Sequence, residues 1–269
     1  MGYRLNLKNE NFYYLYSNIK MKVSLLIGID YRGLDNELNG CIADVENMAK
    51  ILKGRGYKNI LLTENGMVPN CKNIMLGFNT LLNFINNEGC NEAWIHYSGH
   101  GTRVKDMDGD EEDGFDEVLV PLDYRERGVI SDDFINAHFI SKIRNPDLKL
   151  NIFMDCCHSG TIMDLQYHNV NEEWRRVNNK IAIGKILCIS GCRDSEESAE
   201  SYDICNNGRW SGAMTTTFLD ITQKNISLRE LMREMKGRLG PFGQVPQLTS
   251  NYKINLDINV NVLLSKTKN

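Results

Sequence analysis

A histidine and a cysteine, the two side chains that together make a thiolate nucleophile, each sit in a short glycine-marked motif of this chain. His100 lies in Tyr97-Ser98-Gly99-His100-Gly101, and two cysteines lie in Asp155-Cys156-Cys157-His158-Ser159-Gly160. A thiol is a poor nucleophile until it ionises, and a nearby imidazole is the usual means of ionising it. His100 in that role takes the thiol proton and later returns it to a leaving amine. Alone, a His or a Cys is more often an ordinary core residue. Glycine on both sides of His100 points the other way, because it lets backbone approach a ligand closely. Spacing leaves the nucleophile open, since Cys156 and Cys157 point to opposite faces of a continuing strand. His158 adjoins Cys157 in sequence, so the two side chains diverge.

Both motifs need an element to deliver them. Ala93-Trp94-Ile95 precedes the first and Leu150-Asn151-Ile152-Phe153-Met154 the second, and each reads as a buried strand. The carboxyl ends of strands are where open α/β sheets place ligands and catalytic groups. Val23-Ser24-Leu25-Leu26-Ile27-Gly28-Ile29, ended by Asp30, reads as a central parallel strand. Val45, Met48, Ala49 and Leu52 recur at helical spacing before Gly54 and Gly56. The pattern continues with a strand at 59–62, a helix at about 74–85, the strand at 93–97 and a helix at about 133–143. Strands at 149–155 and 185–190 and helices at about 212–221 and 228–239 follow. Strands alternating with helices predict an α/β domain with a mostly parallel central sheet covered on both faces.

The chain has 269 residues, 42% hydrophobic and 25% charged, enough for a substantial core. A net charge of -4 and a pI near 5.8 argue against nucleic acid as the main partner. No run approaches the roughly 18 apolar residues that a membrane span needs. Gly2 suits myristoylation, but Asn6 stands where Ser or Thr is wanted. A secretory h-region is absent, so cytoplasmic residence is the expectation. Eight cysteines are scattered without a compact framework, and most are expected to be buried small hydrophobes.

Ser98-Gly99-His100-Gly101 followed by Asp155-Cys156-Cys157-His158-Ser159-Gly160 resembles the active-site pair of the metacaspases, caspase-fold cysteine peptidases. Cys157 follows His100 by 57 positions, near the His-to-Cys interval of caspases. The resemblance spans about residues 22–250 and implies a caspase-like three-layer sandwich. It divides the chain into an N-terminal arm (1–21) and one peptidase domain (22–269). That domain has a large part (about 22–165), a connecting loop (about 166–180) and a small part (about 181–269). The family nucleophile directly precedes His-Ser-Gly, which makes it Cys157 and leaves Cys156 in a position that varies. Backbone N–H groups of Gly101 and Cys157 are expected to hold the oxyanion.

Asp44 in Gly40-Cys41-Ile42-Ala43-Asp44 matches an acidic pocket residue of metacaspases, Ser98 a polar one, and Asp155 emerges on the same face as Cys157. Two carboxylates in one pocket repel unless a cation arrives, so the implied substrates are proteins or peptides with Arg or Lys before the cut. Asp44 alone also suits the first turn of a helix for dipole reasons. The basic pocket and Gln-Ala-Cys-x-Gly motif of the Asp-cutting animal caspases are absent.

The acidic run Asp106–Glu117 offers acids at EF-hand positions 1, 3, 5 and 12 but has Glu111 where glycine is needed, which argues against an EF-hand. The resemblance implies a different calcium site: Asp116, Asp132, Asp133 and Asp164, four hard oxygen donors from three segments. Ca²⁺ is therefore the expected cofactor and switch. Zinc is disfavoured, because His96 and His100 share no helical face and Cys188 and Cys192 lack a second ligand pair. Arg175, Arg176, Lys180 and Lys185 are candidates for self-cleavage between the two parts. The expected whole is a calcium-activated, monomeric cysteine endopeptidase. Its rivals are a calcium-independent relative such as a paracaspase, a non-proteolytic scaffold on the same fold, and a calcium sensor.

Overall fold

The computed structural model describes residues 21–106, 114–156, 162–192 and 213–263. The elements before the cysteine motif are β1 (Met21–Gly28), α1 (Cys41–Gly54), β2 (Tyr57–Leu62), α2 (Cys71–Asn87) and β3 (Cys90–Ser98). After them come β4 (Gly101–Lys105), β5 (Phe115–Leu119), β6 (Ile130–Ser131), α3 (Asp132–His138) and β7 (Lys149–Asp155). The remainder is β8 (Tyr167–Val170), β9 (Glu173–Arg176), β10 (Lys185–Cys192), α4 (Ala213–Ile221), α5 (Leu228–Leu239) and β11 (Val245–Ser250).

The strands make an eight-stranded sheet in the order β2-β1-β3-β7-β10-β11-β8-β9 and a small sheet β4-β5-β6. From β2 to β10 neighbouring strands run parallel, and β11, β8 and β9 each pair antiparallel with the strand before them in that order. Alternation along the central strands splits the core in two. Val23, Leu25 and Ile27 of β1 face α2 through Ile74, Phe78 and Leu81. Leu26, Trp94 and Phe153 face α1, α4 and α5 through Val45, Met48, Phe218 and Leu231. This is the expected three-layer α/β arrangement. Among the described residues no helix is long and apolar enough to cross a membrane.

Local chemistry fixes the helix starts. Asn70 accepts from the Asn73 N–H at 2.8 Å to cap α2, and Ser227 forms a capping box with Glu230 at α5. The helix expected over 133–143 stops at His138, because Phe139 leaves helical geometry (φ −125°) and a 3₁₀ turn follows over Ile140–Lys142. The polar stretch expected as a connecting loop carries the β8–β9 hairpin. β11 escaped the sequence reading because Pro246 interrupts it; the residue is paired only with Gly191 of β10, a position where a strand tolerates a missing N–H.

Candidate active site

The parallel pairing of β3 with β7 sets Ser98 opposite Asp155, and the Gly99 N–H reaches the Asp155 carbonyl at 3.4 Å. His100 therefore follows β3 at the same end of the sheet at which β7, its parallel neighbour, closes on Asp155. Cys157 itself lies outside the described residues, as do residues 1–20 and 107–113. Cys156 is buried in the core on the α2 side of the sheet.

His100 is held by an environment that no motif announced. Its Nε2 donates to the Asn36 carbonyl at 2.7 Å, which fixes the tautomer and leaves Nδ1 as the acceptor. Burial lowers its pKa, and the Asn36 bond offsets only part of that, so the ring is a neutral base at pH 7. Two tyrosine hydroxyls clamp its backbone. Tyr31 Oη accepts from the His100 N–H at 3.1 Å and donates to the Val120 carbonyl at 2.5 Å, while Tyr97 Oη donates to the His100 carbonyl at 2.7 Å. Burial raises the pKa of both phenols, so they act as neutral hydrogen-bonding groups. Tyr31 has φ 54°, an uncommon conformation for an aromatic residue, held in part by its N–H to Glu64 Oε1 at 2.6 Å. Gly99 is explained by the same clamp: a Cβ there would meet Tyr97 Oη at 2.8 Å. Tyr31→Phe is expected to lower kcat while KM stays nearly constant and to cost about 1–3 kcal/mol in denaturant unfolding, the penalty for stranding buried partners.

The expected pocket residues come together on the opposite face of β3 and β7. Gly28 packs against the start of α1, where a Cβ would meet Val45 Cγ2 at 2.5 Å, and this brings Asp44 close to the strand ends. Asp44 Oδ2 accepts from Ser98 Oγ at 3.1 Å. Asp155 Oδ2 accepts from the Thr215 N–H at 2.9 Å and the Thr215 hydroxyl at 2.6 Å, both from the first turn of α4. Both carboxylates are buried (4% and 5% exposed). Burial first, and the charge of Asp155 second, raise the Asp44 pKa to about 8; burial raises Asp155 to about 6 despite the Thr215 bonds. Such a pair is suited to an incoming cation, which restores the ionised forms of both.

Asp116, Asp132, Asp133 and Asp164 fall at β5, at the start of α3 and after β7. Asp132 is 1% exposed; its Oδ2 accepts from the Glu117 N–H at 3.1 Å and its Oδ1 from the Asp133 N–H at 2.9 Å. Burial, then the charge of Asp164, raises its pKa to about 8, so the two acids sense each other. The ammonium of Lys180 bridges Asp133 Oδ1 and Asp164 Oδ2, at 2.8 Å from each. Among the described residues no three His, Cys, Asp or Glu side chains are arranged to hold a metal ion. Hard carboxylate oxygens are the donor type that suits Ca²⁺, but of the four acids Asp133 and Asp164 are the ones that meet at a cation, the Lys180 ammonium.

Sequence reading missed the Asn36 carbonyl, Tyr31, Thr215 and the bridging role of Lys180. His96, disfavoured as a zinc ligand, is fully buried with Nε2 3.2 Å from Thr215 Oγ1.

A family model described as "Metacaspase, peptidase C14 domain" matches residues 22–166. Metacaspase-1B of Aspergillus niger is 31% identical over 92% of this chain and 69% of its own length. Metacaspase-1 of Kluyveromyces lactis is 31% identical over 95% and 72% respectively. Among solved structures, a Geobacter sulfurreducens protein aligns with TM-score 0.63 at 23% identity, covering 88% of this chain and 97% of that one. The Drosophila initiator caspase Dronc aligns with TM-score 0.52 at 11% identity, covering 88% and 81%. At those identities the two structures speak to the fold, which is caspase-like.

Proposed function

Because the chain belongs to the metacaspase family of cysteine peptidases, we propose that it is an endopeptidase cutting after Arg or Lys through a Cys157–His100 pair, and that calcium activates it. The observation supporting this most directly is the Ser98–Asp155 register, which sets the two motifs side by side with a pair of buried acids beneath them. In this mechanism His100 Nδ1 takes the Cys157 proton, and the sulfur attacks the scissile carbonyl. The C–N bond breaks as the imidazolium protonates the leaving amine, and water, deprotonated by His100, then hydrolyses the thioester. Backbone N–H groups of Gly101 and Cys157 are assigned to the oxyanion. The substrate cation enters between Asp44 and Asp155, with Ser98 fixing the rotamer of Asp44. Peptide reporters differing only in Arg, Lys or Asp before the cut test this: we expect Arg and Lys to exceed Asp by at least about 10³-fold, whereas equal turnover of the Asp reporter rules the pocket out.

Asp116, Asp132, Asp133 and Asp164 are the residues that would hold calcium, which would supply charge neutralisation among these acids. Lys180 has to leave Asp133 and Asp164 for that to happen. Its release bears on self-cleavage: Arg175 and Arg176 are paired within β9 and Lys185 within β10, whereas Ile181, just after Lys180, is 79% exposed. We therefore expect Lys180→Met in a Cys157→Ala background to bind calcium about tenfold more tightly by titration calorimetry. The same contact favours a second reading, in which Lys180 serves as the permanent cation and no calcium is needed. Under that reading Lys180→Met gains no affinity and, with Cys157 intact, loses activity that calcium cannot restore. A monomer is favoured by the sheet edge: β8 covers β11, and the outer strand β9 presents Glu173, Arg175 and Arg176, which discourage pairing with another chain.

A further inference from the structure

We infer that Thr215, oriented by the buried imidazole of His96, is a positioning residue that sets the Asp155 carboxylate for the substrate's cation. The inference rests on the reading of Asp155 as a wall of the specificity pocket. Thr215 gives Asp155 two bonds, N–H and hydroxyl, and both end on Oδ2. Oδ1 carries no hydrogen bond among the described residues, so the carboxylate is fixed with one oxygen committed and the other available to a guanidinium or ammonium.

The direction of each bond follows from the donor inventory. The Asp155 carboxylate at 2.6 Å takes the hydroxyl hydrogen of Thr215, which leaves the hydroxyl oxygen as the acceptor for His96. His96 therefore donates from Nε2, at 3.2 Å, and is the neutral Nε2–H tautomer. Its other nitrogen, Nδ1, is buried without a hydrogen-bond partner among the described residues. A histidine kept fully buried at that cost, with its pKa lowered to about 3 by burial, is a fixed dipole rather than a titrating group. It sits edge-on to Phe153 at 5.4 Å, so packing sets the ring direction. The chain His96 to Thr215 to Asp155 links β3, α4 and β7 behind the pocket. It shares the carboxylate with the helix start of α4, whose N–H groups and dipole favour negative charge there.

The test compares Thr215→Val, Thr215→Ser and His96→Phe with the parent protein, on Arg-terminated reporters and on binding of an Arg-terminated product peptide in a Cys157→Ala background. Thr215→Val keeps the shape and removes the hydroxyl; we expect KM and the peptide Kd to rise about tenfold or more, with kcat changed far less. Thr215→Ser restores the donor and is expected within about twofold of the parent, while His96→Phe raises KM about threefold. A Thr215→Val protein with unaltered KM and Kd overturns the inference, as does a Thr215→Ser protein impaired as much as Thr215→Val. An Asp155→Ala protein that still prefers Arg sinks the pocket reading itself, an outcome separate from either.

Discussion

Cys157→Ala is expected to lower turnover of an Arg-terminated reporter by at least about 10⁴-fold, and His100→Ala by about 10³-fold, with the double variant no worse than Cys157→Ala. The non-additivity is the informative part. If the imidazole acts only by ionising the thiol and protonating the leaving amine, removing it from a protein without the thiol has nothing left to abolish. The Asn36 carbonyl predicts a further detail. It holds Nε2–H, so the ring presents Nδ1 to the reaction, and burial keeps that nitrogen unprotonated at neutral pH. The free base is therefore available below the ordinary histidine value, and the acidic limb of kcat/KM should not follow an exposed imidazole. Titrating activity from pH 5 to 9 in parent and Tyr31→Phe proteins checks the assignment, since loosening the clamp moves that limb.

The pocket acids give the second large effect. Asp155→Ala is expected to lower kcat/KM for Arg and Lys reporters by about 10²–10³-fold, the cost of burying a cation whose partner has been removed. A reporter with an uncharged residue before the cut should be far less affected. The sign of the pH dependence follows from Asp44. Burial and the neighbouring Asp155 charge raise its pKa to about 8 in the empty pocket, so at pH 7 most of the free enzyme carries it protonated. Cation binding favours the ionised form and must expel that proton. The kcat/KM for Arg reporters should therefore climb as pH rises toward about 8 and level off above it. Ser98, Asp155 and Asp30 are the groups acting on Asp44, and none supplies a positive charge to cancel the trend. Asn at position 44 removes the climb near pH 8; a profile unchanged by Asp44→Asn contradicts the assignment.

Much of this arrangement was legible from residue order because β3 and β7 carry apolar runs, Ala93-Trp94-Ile95 and Ile152-Phe153-Met154, that lead into chemically marked motifs. Asp44 and Ser98 were read through family resemblance and Asp155 through strand alternation; Ser98 Oγ donates to Asp44, and the parallel register puts Ser98 and Asp155 on one face. The missed parts share a physical reason. The Asn36 acceptor is a backbone carbonyl, which any residue type provides. Tyr31 reaches His100 from 69 positions away, and its left-handed backbone carries no local signature. Thr215 is an ordinary residue at a helix start whose role comes only from tertiary packing. Lys180 read as one of four basic candidates for self-cleavage, although the acids it bridges come from two other segments. β8 and β9 are four residues each, too short and too polar for a period of two to stand out.

The most direct test of the central claim is intact-mass and peptide mapping after exposure to an Arg-terminated peptidyl acyloxymethyl ketone, whose carboxylate is displaced by a reactive thiolate. The account predicts a single adduct, on Cys157 and none of the other seven cysteines. It forms at least about 100-fold more slowly in His100→Ala and with the corresponding Asp-terminated probe. An adduct on a different cysteine, or equal labelling by the two probes, contradicts it.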